Sequence, residues 1–470
     1  MTLKRFRAIG KLYFVPTIVF LLLCIAIVLE MKELSVVREL FTRASSEPAN
    51  IIIDTRKVIG PLQRPWRHLA QGGEDHAWRM GTLIPKIAAL HPAYIRIDHI
   101  YDFYDIVGGS SGNLTFNFSK LDGLLDDIKA TGATPYISLS YMPPVISSSD
   151  IISAPRNYSD WQLTVQKTIE HISGTRATRD VYYEVWNEPD LFGGWKYYGN
   201  KSYLTLYEAA ARGAQNAQGV QPFKIGGPAT TALYKNWFDA LATDAVKNNV
   251  RLDFISWHRY DTDIDRFKKD ITDARTWIQS YPQLQPTIEF HITEWGQDSN
   301  NNQSYDTSLG AAHTVATAIE MVGVLDKAFA FEIQDGKDPK GNATWGRWGL
   351  FTHNDSGAAA KPRYNALLLL EKLGPERVQL LGKGSYVKAL ATKSDDTTFQ
   401  VVLANYDAWG KNSEVVPITF QNLPPGRYTI TKTFLNKKKE TVAIDSPTGS
   451  LPLSIPLSPS EVAVIEITKK

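Results

Sequence analysis

Residues 182–190 read Y-Y-E-V-W-N-E-P-D. The aromatic and β-branched run has strand composition, and the Asn-Glu-Pro turn ends it. Similar short apolar runs recur on both sides of it, at residues 68–70, 94–98, 135–139, 223–226, 254–257, 288–292 and 328–332. Amphipathic helical stretches lie between them, over residues 121–130, 161–172, 203–218, 237–248, 264–280 and 311–324. Strands alternating with helices predict βα units and a parallel sheet. Eight such strands in about 300 residues match the count and size of a (β/α)8 barrel. A doubly wound open sheet is the alternative, but no G-x-G-x-x-G turn follows the first strand.

The pattern changes near Gly374. Short alternating strands follow at 386–392, 398–405, 415–420, 426–434 and 461–467, broken by turns such as Leu423-Pro424-Pro425-Gly426. This predicts a C-terminal β-sandwich. Residues 51–54, I-I-I-D, are expected to add a strand to it from the other end of the folded part. The predicted fold class is therefore α/β: a (β/α)8 TIM barrel with a C-terminal β-sandwich and an N-terminal transmembrane helix.

That helix is expected over residues 12–29, where no charge interrupts an apolar run just long enough to cross a hydrocarbon core. Lys4, Arg5, Arg7 and Lys11 precede it, which places the amino terminus in the cytoplasm and the rest outside. Glu30-Met31-Lys32-Glu33 follows, with no small-x-small cleavage pattern, so an anchor is preferred over a cleaved signal peptide that would leave a secreted protein. The expected divisions are 1–30, tail and anchor; 31–60, juxtamembrane helix, linker and first sandwich strand; 61–375, catalytic barrel; and 376–470, sandwich. The single cysteine, Cys24, falls inside the apolar run, so the folded part has no disulfide and no cysteine metal site. A net charge of +2 without a basic patch gives no reason to expect a nucleic-acid partner.

In a (β/α)8 barrel, polar residues at the carboxyl ends of strands face the active site. The predicted strand ends supply Arg96, Asp98 and His99; Ser140 and Tyr141; Asn187 and Glu188; His258, Arg259 and Tyr260; Glu294 and Trp295; and Glu332, Gln334 and Asp335. Glu188 and Glu294, from the fourth and seventh strands, lie across the barrel mouth from each other. Two carboxyls flanking one bond are what glycoside hydrolysis needs, provided their surroundings separate their pKa values. Asn187 can hydrogen-bond a sugar 2-hydroxyl, Tyr260 can hold Glu294 ionised, and His258 can bridge to the acid or to a sugar hydroxyl. Arg96 is either structural or substrate-facing. Glu184 and Glu289 lie deeper and read as structural. Regular alternation would give residues 184, 186 and 188 one facing.

The segments Trp186-Asn187-Glu188-Pro189, Ser256-Trp257-His258-Arg259-Tyr260 and Ile292-Thr293-Glu294-Trp295-Gly296 resemble those of retaining (β/α)8 glycosidases with paired glutamates. The strongest resemblance is to glycoside hydrolase family 39, which includes β-xylosidases, α-L-iduronidase and some bacterial exopolysaccharide glycosidases. Gly349-Leu350-Phe351-Thr352 is similar as well. The resemblance covers about residues 50–470 and implies a barrel with an adjoining β-sandwich. It implies Glu188 as acid/base and Glu294 as nucleophile, with Asn187, His258 and Tyr260 as helpers. Arg96, His99, Trp295 and Trp345 complete the expected substrate contacts. No metal or cofactor is expected, and the expected partners are a carbohydrate substrate and the membrane.

The chain departs from the family pattern in two places. Strand eight carries Phe331-Glu332 where the family tends to have a tryptophan, for which Trp345 or Trp348 is a replacement. After strand two, Arg96-Ile97-Asp98-His99 is one residue longer than the family's Arg-x-His. The alternative reading is a non-catalytic carbohydrate-binding or scaffold protein, against which both glutamates and their helpers speak.

Overall fold

The computed structural model describes residues 46–72, 75–337 and 346–470. The apolar run at 12–29, the juxtamembrane stretch and Trp345 lie outside the described residues. Among the described residues, no helix is long and apolar enough to cross a membrane.

Eight parallel strands close into a barrel in chain order: His68–Gln71, Tyr94–Ile97, Thr134–Leu139, Val181–Val185, Phe223–Thr230, Phe254–Tyr260, Glu289–Gly296 and Lys327–Phe331. They are called strands one to eight below. Helices such as Ser119–Ala130, Tyr158–Ile169, Tyr203–Asn216, Lys235–Lys247, Asp265–Trp277 and Ser308–Met321 follow or precede them. Alternation sorts the side chains. On strand two, Ile95 and Ile97 join the large apolar core shared with the helices, while Tyr94 and Arg96 point inward. Tyr136, Tyr182, Phe254 and Phe329 fill the lower barrel as one aromatic layer. The barrel is therefore a packed core that supports whatever stands above it.

The second sheet has nine strands, ordered Lys439–Ser446, Gly426–Phe434, Val462–Lys469, Thr398–Asn405, Val387–Lys393, Glu376–Leu381, Ile51–Pro61, Glu414–Gln421 and Leu451–Leu457. Residues from both ends of that order, such as Tyr428 and Ile455, share one apolar cluster, so the sheet curls over a single core. Ile51–Pro61 pairs antiparallel with Glu376–Leu381 and parallel with Glu414–Gln421, which bonds the start of the described chain into its C-terminal part. Thr398–Asn405 and Val462–Lys469 are covered on both faces. Val401 and Leu403 enter the sheet's own core, whereas Val402 and Ala404 join the barrel's core. Tyr406 Oη donates to Thr262 O at 2.7 Å and pins the sheet to the loop after strand six.

Some elements were not expected from the sequence. The edge strands Lys439–Ser446 and Leu451–Leu457 are half exposed, and Pro452 and Pro456 interrupt the second one. Such features protect sheet edges and also hide them from pattern reading. Helix Pro362–Leu370 buries nearly its whole circumference, so its run of leucines shows no amphipathic period. The hairpin Val107–Ser110 with Asn113–Phe116 was also absent from the sequence reading.

Ile53 is fully buried between Leu380 and Phe420. Ile53→Ala is expected to lower unfolding free energy by about 2–5 kcal/mol, the usual range for emptying a close-packed core site. Denaturant unfolding followed by fluorescence measures this.

Candidate active site

Two backbone irregularities decide which side chains meet at the barrel mouth. Strand four places Tyr182 and Glu184 inside, then stops at Val185. Trp186 has φ +73° and Glu188 φ +45°. A left-handed conformation costs a non-glycine residue roughly 1–2 kcal/mol, and such outliers cluster at functional sites. The turn at Trp186 breaks the alternation. Asn187 faces the barrel axis, and Trp186 is turned into the core against Trp195 and Tyr141, each with ring centroids 5.3 Å away. The common facing of residues 184, 186 and 188 expected from a regular strand is thereby lost. The Glu188 N–H donates to Ala229 O at 3.0 Å, and its carbonyl accepts from the N–H groups of Leu191 and Phe192.

Strand seven contains a bulge. His291 and Ile292 pair with Ser256 and Trp257, but the next pair is Glu294 with His258, so Thr293 is an extra residue. His291 faces inward, stacked on Phe254. Strict alternation would have turned Trp295 inward; the bulge turns Glu294 inward in its place. Trp295 is fully buried on the helix side against Phe267. This corrects its expected role: it is a core residue with no surface to offer a sugar.

Arg96 stands at the centre of the site, fully buried. Its Nε donates to Glu184 Oε2 at 2.8 Å, Nη1 to Glu294 Oε1 at 2.9 Å and Nη2 to Asn187 Oδ1 at 2.8 Å. It is therefore a positioning residue, and the substrate-facing reading is corrected. Burial alone would lower its pKa; the charges of Glu184 and Glu294 outweigh burial and raise it. Glu184, read above as a structural neighbour, is the buried counterion of this guanidinium.

Glu294 accepts a second bond, from Tyr260 Oη at 2.9 Å to Oε2. Burial pushes the Glu294 carboxyl up, and the positive charges of His258 and Arg96 pull against it. His258 Nδ1 lies 2.8 Å from Glu188 Oε1 and 3.4 Å from Glu294 Oε2. Burial disfavours a charged His258 ring, yet Glu294 and Glu188 together raise its pKa. One oxygen from each glutamate and a ring nitrogen of His258 all lie within 4.8 Å of one another. Such a trio is also a donor set that a divalent cation would accept, although here its members already bond each other, Tyr260 and Arg96.

The remaining candidates are less central. His99 bonds Asp102 through Nδ1 at 2.8 Å, stacks on Phe103 and meets Tyr141 edge-on. Tyr141 in turn accepts from Asn187 Nδ2 at 2.9 Å, so His99 borders the site through an intermediary. Trp348 packs on Phe331, which lies beside Tyr260. Asp335 is ion-paired with the buried Lys361. Burial pushes the carboxyls of Asp98 and Glu332 up; Glu332 accepts from Gln71 Nε2 at 3.0 Å. Gln71 was not anticipated, because a lone glutamine at a strand end carries no pattern.

The family model for glycosyl hydrolases family 39 matches residues 50–421, well over half of the chain. The chain belongs to that family. It is a retaining glycoside hydrolase. A β-xylosidase of Caldicellulosiruptor saccharolyticus is 25% identical over 348 residues, covering 66% of this chain and 67% of the relative. A β-xylosidase of Geobacillus stearothermophilus is 24% identical over 419 residues, covering 75% and 80%. Among solved structures, a GH39 enzyme of Xanthomonas axonopodis pv. citri superimposes with a TM-score of 0.73 at 20% identity, covering 90% of this chain and 98% of that one. A monomeric β-xylosidase of Caulobacter crescentus gives the same score and identity, with 90% and 99% covered. The structural likenesses establish the shared fold.

The Tyr260 hydroxyl stabilises the ionised form of Glu294, so removing it raises that carboxyl's pKa. In Tyr260→Phe the acid limb of kcat/KM is expected to move to higher pH. A pH–rate profile of this family 39 hydrolase against its variant tests the sign.

Proposed function

We propose that this family 39 hydrolase works by double displacement, with Glu294 as nucleophile and Glu188 as acid/base. The observation that carries the reading is the close approach of the two carboxyls, within 4.8 Å, combined with their unequal partners. A retaining pair stands about 5–5.5 Å apart, too close to seat a water between carboxyl and sugar. Glu294 accepts from a guanidinium and a phenol, both of which fit the anion a nucleophile must be. Among the described residues Glu188 is bonded to a single titratable side chain, His258, which suits a group that must gain and lose a proton each cycle. In the first step Glu294 attacks the anomeric carbon as Glu188 protonates the departing oxygen. In the second, Glu188 takes a proton from water as the sugar–Glu294 ester is broken. Asn187, fixed by Arg96 and Tyr141, presents its amide to the sugar's 2-hydroxyl.

The substrate we propose is a β-xyloside or a related β-linked glycan, because both curated relatives described above are β-xylosidases. We further propose that residues 12–29 anchor the enzyme, with its catalytic part outside the cytoplasm. In membrane fractionation the full chain should sediment with the membrane, and a chain lacking residues 1–30 should be released; equal distribution would refute the anchor.

A panel of aryl glycosides tests the chemistry. Glu294→Ala should abolish turnover of every member. Glu188→Ala should slow natural-type substrates by about 10²–10⁴-fold while sparing aryl glycosides with good leaving groups. Equal losses on both substrate types would reverse or void the assignment.

A further inference from the structure

Ten large hydrophobic side chains are exposed among the described residues, and four of them, Leu191, Phe192, Tyr198 and Tyr234, belong to the loops after strands four and five. Exposed apolar groups concentrated at one place mark a binding surface more often than chance exposure does. These loops are held firmly. Asp190 accepts from both the N–H and the hydroxyl of Thr231, which joins one loop to the other, and Thr231 Oγ1 lies 3.1 Å from Tyr234 Oη. Asn236 Nδ2 donates to Tyr197 Oη, beside Tyr198. Phe192 is tied to Glu188 by its N–H, and its carbonyl accepts from Trp186 Nε1 at 3.3 Å. Its ring meets Tyr141 edge-on at 5.8 Å, and Tyr141 bonds Asn187.

The position of this surface defines its occupant, given the roles proposed above for Glu188 and Glu294. The acid must lie beside the oxygen that departs, so the loop that continues beyond Asn187 and Glu188 borders the leaving group. Pyranose rings pack their C–H faces on aromatic rings, and an immobile ring on an ordered loop offers that contact with little entropy to lose. The exposed side chains run from Phe192, against Tyr141, to Tyr234 on the neighbouring loop that Asp190 and Thr231 join to the first, so the surface offers more than one ring contact. We propose that Leu191, Phe192, Tyr198 and Tyr234 form a leaving-group platform that binds two or more consecutive sugar residues, making this enzyme selective for oligo- or polysaccharide chains.

Transglycosylation reads the platform directly. An acceptor sugar bound there attacks the anomeric carbon of the sugar–Glu294 ester. Its hydroxyl proton passes to Glu188, a glycosidic bond forms, and Glu294 leaves as the carboxylate. The donor is an aryl β-xyloside, and the acceptors are xylobiose and cellobiose at millimolar concentration. The ratio of transfer product to hydrolysis product is internal to each enzyme and independent of the fraction of folded protein. In Phe192→Ala and in Tyr234→Ala, with Tyr198→Ala as a third variant, this ratio should fall by about fivefold or more. A ratio that stays nearer the wild-type value in all three overturns the proposal, as does a wild type that hydrolyses the donor without transferring to either acceptor. A wild type inert to the whole aryl glycoside panel is a separate result: it overturns the assigned chemistry and the platform with it.

Discussion

A single buried guanidinium organises the barrel mouth. Arg96 divides its donors among Glu184, Glu294 and Asn187, residues from strands four and seven or just beyond them. Taking a cation fully out of water costs several kcal/mol unless its partners are near and well aligned. Glu184 pairs with Arg96 from below, and Glu294 pairs with it from above. The pair of anions raises Arg96 further into its charged state, which in turn holds both carboxyls and the Asn187 amide in fixed places. Removing either anion would leave a fully buried guanidinium undercompensated.

The same arrangement gives two chemically identical side chains different surroundings. Glu294 is 6% exposed and carries two strong donors. Glu188 is partly exposed and shares its oxygen with His258. Burial works to raise Glu294 while His258 and Arg96 oppose it, and Tyr260 donates a hydrogen bond to the same carboxyl. A distinction of this kind is what the roles proposed for the two glutamates require. The strained backbone at Trp186 and Glu188 is part of the construction, since it turns Asn187 toward Arg96 and leaves Glu188 at the edge of the opening.

Much of the architecture was legible because it rests on local rules. Alternating apolar runs and amphipathic stretches announced the eight barrel strands, and the later short strands announced a second sheet. The elements that escaped were those whose patterns are overridden by surroundings: the half-exposed edge strands with prolines, and a helix buried on all sides. In the site, Asn187, Glu188, His258, Tyr260 and Glu294 are drawn into one cluster, as their strand-end positions implied. Trp295 failed because one extra residue in strand seven reverses the facing of everything beyond it. Arg96 could be nominated but not interpreted, because its partners lie 88, 91 and 198 residues away.

By itself the sequence determined the alternation of strands and helices, the residues at the strand ends and the motifs that mark the family. Those follow from short-range periodicity and residue chemistry, which survive in one dimension. The tertiary structure decided which of those residues face the barrel axis, which carboxylate became the counterion of Arg96, and which aromatic rings stayed exposed beside Glu188. A bulge at Thr293 and a left-handed turn at Trp186 settle the first of these. Charge pairing across the closed barrel settles the second, and packing of neighbouring loops settles the third. Each depends on contacts between strands distant in the chain, and a linear pattern contains no record of them.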